Sequence, residues 1–341
     1  MSFPIYNSIS CTLVGLGIML MIYQLIRGHT VTSLSDGMPW GIYVEAFFFF
    51  SAIGAGALIV SAVLNIYDPK KYYNVCRFCC AFSAGSLVSA GILLGADLGR
   101  PLKLFRMVVG FNRNSPLTWD FCLLSLCLVL NLIFLSLAID KYYVLMAWSV
   151  VSLVVSMAFI MLHALFFVAK SGSGFQSQPF LALNILLQSL LGGVSVVVFF
   201  TSMSSGGNTV FAEALLILLA LSFAITFGTK VCISGTGATS PILFADKLKM
   251  VLSLIAFVLI FYAIASGGEV IILLRVAVIL VFTVIFIDKS HHGRSAQRKQ
   301  NMAKHYNIYD SQVTYFPSLI EILITLSSFG FCALTFKFLV I

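Results

Sequence analysis

The chain alternates long apolar runs with short polar connections. Ten runs are long enough to cross the ~30 Å hydrocarbon core of a bilayer as α-helices, at ~1.5 Å rise per residue. They cover residues 8–26, 40–66, 78–96, 117–139, 142–169, 180–203, 209–229, 248–266, 269–287 and 316–340. The pattern predicts an all-α, polytopic transmembrane protein of about ten helices, or of nine if the first run lies on the membrane surface.

Composition supports a membrane protein. Hydrophobic residues make up 60% of the chain and charged residues 9%, and the mean hydropathy is +1.05. These values lie outside the range of soluble globular proteins. The net charge is +8, but Lys and Arg occupy the connections and form no basic face with interleaved aromatic residues. A lipid bilayer is therefore expected around the chain, and nucleic-acid binding is not.

The basic residues also predict an orientation. Fourteen of the 20 Lys and Arg residues lie in connections that follow odd-numbered helices, and six lie on the other face. The positive-inside rule places the richer face in the cytoplasm. An acidic partner protein docked on that face would give the same bias, so both explanations stay open.

Several polar residues fall at one membrane face when the helices alternate in direction. Glu45 lies early in the second run, beside Tyr43, and Asp97 ends the third run. Asp120 begins the fourth run, and His163 lies about two turns before the end of the fifth. Ionisable groups inside apolar helices are costly, so they are functional-site candidates.

Each of these residues also has a structural interpretation. Glu45 could be a solvated or paired carboxylate near the boundary. Asp97 and Arg100 could form an ion pair at a helix end, and Asp120 could interact with the helix dipole. A lone histidine such as His163 is more often a packing residue than a ligand.

The metal-binding and haem-binding residues are few. His163 is the only histidine predicted inside a span, with His29, His291, His292 and His305 assigned to loops, whereas a bis-histidine haem needs two facing imidazoles. The closely spaced Cys76, Cys79 and Cys80 lack a second half of a metal site. We therefore expect no haem, no iron–sulfur cluster and no metal site in this chain.

The opposite face carries fewer polar residues. Glu213 begins the seventh run, Glu269 lies in the connection between the eighth and ninth runs, and Arg275 follows early in the ninth. Glu213 and Arg275 could form a proton path at that face or a structural pair.

Three motifs in order carry a family resemblance. They are Pro39-Trp40-Gly41-Ile42-Tyr43 with Gly54 and Gly56, then Asp97-Leu98-Gly99-Arg100-Pro101, then Asn114-Ser115-Pro116-Leu117-Thr118-Trp119-Asp120. Together they resemble the polysulfide reductase membrane subunit family, also called NrfD-like. Late in the fifth run, where relatives often carry a tyrosine, this chain departs from the family pattern with His163.

The resemblance implies an integral membrane subunit of two four-helix bundles with a flanking helix at each end. The implied divisions are 1–36 for the first helix and loop, 37–170 for the first bundle, 171–288 for the second bundle, 289–315 for a basic polar loop and 316–341 for the last helix. Such subunits carry no haem. They exchange electrons between a membrane quinone, here expected to be menaquinone, and a docked ferredoxin-like iron–sulfur subunit.

The resemblance also implies further partners and a location. The iron–sulfur subunit serves a catalytic subunit, often of the molybdopterin type, or a cytochrome, in anaerobic respiration at the prokaryotic cytoplasmic membrane. Docked subunits in the better-known complexes lie outside, whereas the distribution of basic residues here favours the cytoplasmic side. The chain would thus act as one subunit of an oxidoreductase and not on the terminal substrate alone.

A mechanistic hypothesis follows for the first bundle. Tyr43, Glu45, Phe47 and His163 would border the quinone headgroup, with Asp97, Asp120 and Glu45 as a proton relay. Arg100, Arg106 and Arg113 would contact the partner or hold the carboxylates ionised. Two alternatives remain, namely a proton- or ion-coupled secondary transporter and a structural anchor whose quinone site has decayed.

Overall fold

The computed structural model describes residues 3–34, 40–99, 110, 115–137, 142–169, 180–202, 209–235, 244–266, 271–304 and 315–340. These residues form ten α-helices and a short 3₁₀ helix, Gly28–Val31, and the described part of the chain contains no strand. The helices are α1 (Phe3–Arg27), α2 (Ile42–Tyr67), α3 (Pro69–Asp97), α4 (Pro116–Ser136), α5 (Tyr142–Ala169), α6 (Leu181–Thr201), α7 (Thr209–Gly235), α8 (Phe244–Ala265), α9 (Ile271–Lys304) and α10 (Leu319–Val340). Each is long and apolar enough to cross a membrane, so the predicted all-α, ten-helix architecture is confirmed.

Local sequence sets where the helices begin. Asp68 lies just before α3, and its side chain accepts a hydrogen bond from the backbone N–H of Lys71 at 3.0 Å. Pro69 occupies the first turn, where its missing N–H costs nothing. Pro116 starts α4 in the same way. These signals place the start of α3 some nine residues earlier than the apolar run at 78–96 predicted, because the run begins only after the polar first turns.

The contacts between helices form two closed rings. In the first, α2 touches α3 and α5, and α4 touches α3 and α5; in the second, α6 touches α7 and α9, and α8 touches α7 and α9. Helix α1 packs against α10, which packs against α3. This is the arrangement of two four-helix bundles with a flanking helix at each end. The residue divisions between these units stay a prediction.

Helix α2 is the centre of the molecule. It contacts α3 and α5 in its own bundle, α6 and α9 in the other bundle, and also α10. Nearly every residue from Tyr43 to Ala62 is buried. Because α2 is apolar and buried on all sides, its sequence alone does not indicate which side packs against which neighbouring helix.

Glycine allows the two bundles to touch. A Cβ on Gly56 of α2 would lie 1.8 Å from the carbonyl oxygen of Ser189 in α6. A Cβ on Gly193 of α6 would lie 2.2 Å from the carbonyl oxygen of Gly56. The two backbones are therefore in direct contact, as in small-residue crossings of other membrane helices.

The predicted polar loop after residue 288 is wrong in its first part. Helix α9 continues to Lys304 without a break, although Gly293 lies within it. The segment contains Ala296, Gln297, Arg298 and Lys299, which are residue types that favour helix. At the start of the segment, Lys289 and the preceding Asp288 are buried inside the protein. The hydropathy pattern ended the ninth run at residue 287 because hydropathy counts a charged residue as polar even where, as at Asp288, it is buried in an ion pair.

Candidate functional site

A histidine and an aspartate meet in the interior of the first bundle. His163 of α5 places its Nε2 atom 3.1 Å from Oδ1 of Asp120 in α4. His163 is 1% exposed and Asp120 is 2% exposed. The two atoms are not aligned as a hydrogen bond, and both ring nitrogens of His163 and Oδ1 of Asp120 lack a hydrogen-bond partner in the described part of the chain. Buried polar atoms without hydrogen-bond partners are rare, so these three atoms are candidates to bind a ligand or an ordered solvent molecule.

Aromatic rings enclose the His163 imidazole. Its ring centroid lies 4.7 Å from that of Phe159 and 5.2 Å from that of Phe48, both in edge-to-face geometry. Phe47 lies farther off, at 6.2 Å. The rings exclude water from two sides, and exclusion of water strengthens any hydrogen bond that the imidazole makes with a bound group.

Glu45 lies in the first turn of α2 and faces the second bundle. It is 2% exposed. Its Cγ atom lies 3.6 Å from the position that a Cβ on Gly293 of α9 would occupy. The Glu45 side chain thus lies beside α9, between the two bundles. The prediction that Glu45 is a buried acid at this membrane face is consistent with this position.

Tyr43 points to the other side of α2. Its hydroxyl donates a 2.6 Å hydrogen bond to Oε1 of Gln24 in α1. Gln24 in turn donates from Nε2 to the carbonyl oxygen of Ala96, at the end of α3. Next to it, Oδ1 of Asp97 is buried without a hydrogen-bond partner among the described residues. Tyr43 and Asp97 therefore share a flank that α1 helps to build.

The last helix anchors the entry to α2. Glu321 of α10 is fully buried and accepts hydrogen bonds from the Tyr315 hydroxyl at 2.8 Å, the Ser318 N–H at 2.7 Å and the Ser33 N–H at 3.0 Å. The Tyr315 oxygen accepts a further bond from the Ile42 N–H. Burial, with the nearby Glu321 carboxylate, raises the pKa of Tyr315 above its ordinary range. The network holds the first turn of α2, and hence Glu45 and Tyr43, in place.

A second buried charge cluster lies where α8 begins and the apolar span of α9 ends. Lys249 of α8 contacts the Asp288 carboxylate of α9 as an ion pair and hydrogen bond. His292, one turn later, places Nδ1 3.4 Å from Oδ2 of Asp288 and 2.7 Å from its carbonyl oxygen. All three side chains are buried. We refer to Lys249, Asp288 and His292 as the second-bundle cluster.

The assignment of His292 to a loop is therefore wrong. His291 and His292 both lie in the apolar span Ile271–Gly293 of α9, so His163 is not alone within the spans. Phe48 and Phe167 stand between the two buried histidines, since Phe48 packs on His163, Phe167 packs on Phe48 at 4.9 Å, and His292 packs on Phe167 at 5.9 Å. His163 and His292 thus do not face each other as a pair of axial haem ligands would.

Three of the predicted site residues, Arg100, Arg106 and Arg113, lie outside the described residues. On the opposite face, Glu213 is exposed and Arg275 donates a 2.9 Å hydrogen bond to the carbonyl oxygen of Ser202, at the end of α6. A proton path through Glu213 and Arg275 stays a prediction. Among the described ranges, no group of three or more His, Cys, Asp or Glu side chains is placed to hold a metal ion.

Sequence reasoning missed Gln24, Glu321 and the second-bundle cluster. For Glu321 the signal was present, because a carboxylate early in an apolar run is the same feature that marked Glu45. For Asp288 and His292 the signal was their i, i+4 spacing, which places both on one face of a helix if the helix continues. Gln24 offered no signal beyond a polar residue near a span end.

A comparison with protein families shows to which family the chain belongs. The model of the family described as "Polysulphide reductase, NrfD" matches residues 30–301. The chain belongs to the NrfD family. The match includes α2 to α9 almost in full and all of the site residues named above except Gln24, Tyr315, Ser318 and Glu321.

Individual relatives of the chain align with it over shorter segments. A protein of Halobacterium salinarum, named as the membrane subunit of a dimethyl sulfoxide reductase, is 32% identical over 122 residues, 36% of this chain and 28% of that protein. The Hdr-like menaquinol oxidoreductase integral membrane subunit of Archaeoglobus fulgidus is 28% identical over 124 residues, 36% of this chain and 31% of that protein. A selenate reductase subunit of Mesobacillus selenatarsenatis is 21% identical over 104 residues, 30% of this chain and 24% of that protein. The matches thus span about a third or less of these relatives.

Proposed function

We propose that this NrfD-family chain is the membrane subunit of a quinone-linked respiratory oxidoreductase, which exchanges electrons and protons between menaquinone or menaquinol and a docked iron–sulfur subunit. The observation that carries the proposal is the His163–Asp120 pair. It is buried, lined by aromatic rings, and its facing polar atoms have no hydrogen-bond partner in the described part of the chain.

A quinone headgroup offers the hydrogen-bonding groups that the His163–Asp120 pair lacks among the described residues. Its two oxygens accept hydrogen bonds when oxidised and donate them when reduced, and the ring stacks well in an aromatic cavity. The imidazole of His163 can donate to the carbonyl oxygen or accept from the hydroxyl, and Asp120 can hold the imidazole in the required tautomer. Phe47, Phe48 and Phe159 would then border the ring and the isoprenoid tail.

Glu45, Tyr43 and Asp97 complete the proposed site from the α2 side. Glu45 would receive a proton from the second quinol hydroxyl, since it is the acid of α2 that lies between the bundles. The Tyr43 oxygen, with its proton directed to Gln24, retains lone pairs for a second hydrogen bond on the α1 flank of the proposed site. Asp97, with an unpartnered carboxyl oxygen among the described residues, would relay protons on that flank.

The electrons need an acceptor outside this chain. We propose a ferredoxin-like iron–sulfur subunit on the face where α2 begins, in contact with the connections that hold Arg100, Arg106 and Arg113, and beyond it a catalytic subunit or a cytochrome. The names of the relatives, each a subunit of a reductase or a menaquinol oxidoreductase, support a partner of this kind. The excess of basic residues on this face supports a cytoplasmic orientation in a prokaryotic cytoplasmic membrane.

Quinol turnover by site variants tests the proposal. In the complex purified through this chain, His163→Phe and Glu45→Gln should each lower the rate of menaquinol oxidation or menaquinone reduction by at least about tenfold, because each removes a proton-transfer group. Asn65→Ala is the matched control, since Asn65 is equally buried in α2 but hydrogen-bonds Ser149 and the Leu145 carbonyl.

The outcomes separate clearly. Normal assembly with slow turnover in the two site variants, and normal turnover in the Asn65 variant, would support the proposal. Unchanged turnover in both His163→Phe and Glu45→Gln would overturn the site, and transport of a solute without quinone-dependent electron transfer would overturn the function.

A further inference from the structure

The second-bundle cluster is not part of the proposed quinone site in the first bundle. Lys249 and Asp288 form an ion pair between α8 and α9, and Asp288 is 1% exposed. Holding α8 to α9 does not require charge, because apolar side chains of similar volume hold helices together as well as or better than a buried ion pair. Ionisable groups in a membrane span instead mark ion or proton pathways.

One atom of the cluster remains available. Oδ2 of Asp288 has no hydrogen-bond donor among the described residues, although it is buried. His292 faces it at 3.4 Å through Nδ1. Nδ1 of His292 donates to the Asp288 carbonyl oxygen, so an added proton can reside on Oδ2 of Asp288, with the Lys249 ammonium on the other carboxylate oxygen.

The cluster adjoins Glu45. Gly293, the residue after His292, faces the Glu45 side chain. The His292 ring also packs on Phe167, which packs on Phe48 and so reaches the wall of the His163 pocket. The second-bundle cluster and Glu45 are thus linked through α9, since Gly293 beside Glu45 directly follows His292 of the cluster.

The cluster is also close to the aqueous boundary. The residues of α9 that follow Gly293 are mostly polar, beginning Arg294-Ser295-Ala296-Gln297-Arg298-Lys299, and the helix continues to Lys304. His292 is therefore less than one turn from the polar part of α9. Two further ionisable groups lie beside it, namely Lys289, which is buried, and His291, whose ring packs on that of His292.

We propose that Lys249, Asp288 and His292 form a proton-exchange site between Glu45 and the water on the face where α9 leaves the membrane. The proposal rests on the quinone function proposed above. When quinol is oxidised, its two electrons go to the iron–sulfur partner and its two hydroxyl protons go to protein groups. One of these protons passes from Glu45 to the Asp288–His292 pair and then to water, and the cluster carries no electrons.

Charge supports this step. A proton that leaves Glu45 creates a carboxylate there and adds a positive charge to the cluster, so the two sites attract each other across the bundle interface. The proton then leaves to solvent, which resets both sites. During quinone reduction the same groups take up a proton from water in the reverse order.

Variants of the cluster test the proposal in the complete complex. Asp288→Asn and His292→Gln should each lower menaquinol turnover by at least about tenfold while the affinity for a menaquinone analogue stays within about twofold. The solvent deuterium isotope effect on turnover should rise, because proton release becomes limiting. Small weak acids or bases, such as imidazole, should restore part of the rate.

Removal of one partner of a buried ion pair can prevent folding, so a second variant is needed. Lys249→Met combined with Asp288→Leu removes both charges and keeps the volume, which is often tolerated. The double variant should assemble, bind the quinone analogue and show the same slow, imidazole-sensitive turnover. Asn65→Ala again serves as the control and should show no change in isotope effect.

Two results would overturn the proposal. One is a folded double variant with normal turnover and a normal isotope effect. The other is slow turnover with an unchanged isotope effect and no rescue by imidazole, which would assign the cluster a structural role. Failure of the quinone function itself would look different, because the parent complex would then show no quinone-dependent electron transfer.

Discussion

Gly56 and Gly193 bring the two bundles into backbone contact. A Cβ on Gly193 would lie 2.2 Å from the carbonyl oxygen of Gly56, and a Cβ on Gly56 would lie 1.8 Å from the Ser189 carbonyl oxygen. No side-chain adjustment relieves such a contact, because the obstructing atoms belong to the backbone. Any substitution must therefore separate α2 from α6.

Gly193→Ala and Gly56→Ala should each destabilise the protein. The expected loss is about 1–3 kcal/mol, as for other overpacked sites, and it should appear as a lower melting temperature in detergent. Gly91→Ala and Gly228→Ala are the controls, because nothing lies within 4 Å of the added methyl group at either position. Equal stability of all four variants would contradict the close crossing.

The bond from Tyr43 to Gln24 predicts a measurable coupling. Both side chains are buried, so removal of either one leaves the other without its partner, whereas removal of both leaves neither unpaired. Tyr43→Phe and Gln24→Leu should each destabilise, and the double variant should be more stable than the sum of the two by about 1 kcal/mol. Thermal or denaturant unfolding of the four proteins measures this, and strict additivity would exclude the bond.

The Tyr315 hydroxyl should contribute to the stability of the α2 entry. Tyr315→Phe removes a buried donor to Glu321 and a part-buried acceptor for the Ile42 N–H, and should cost about 1–3 kcal/mol. Tyr262→Phe is the matched control, since Tyr262 is 59% exposed on α8. If both variants unfold like the parent protein, the network does not anchor α2.

The raised pKa of Tyr315 gives this prediction a pH dependence. In the unfolded chain the phenol loses its proton near pH ~10, whereas in the folded protein burial and the Glu321 carboxylate keep it protonated to higher pH. The stabilisation is complete below the unfolded pKa and is lost as pH rises above it. The stability of Tyr315→Phe should therefore decline less steeply than that of the parent protein between roughly pH 9 and pH 11.

The positions of the site residues along the membrane normal could be predicted from the sequence. Run lengths give the number of helices, helix alternation gives the face, and together they place Glu45, Asp97, Asp120 and His163 near the same boundary. Their partners could not be predicted in this way. Tyr43 and Glu45 are two residues apart and point to different neighbours, because successive residues on an α-helix are separated by about 100° around its axis.

The sequence by itself determined the ten-helix membrane architecture and the family, because a bilayer requires long apolar helices and the motifs occur in a specific order. Only the tertiary structure decided how each helix is rotated about its axis, and so which polar groups meet. Pairs such as Asp120 with His163, Lys249 with Asp288, and Ser33 with Glu321, which are 288 residues apart, depend on that rotation. Helices that are apolar all round carry little amphipathic signal for it, so packing of side chains and glycine crossings sets it.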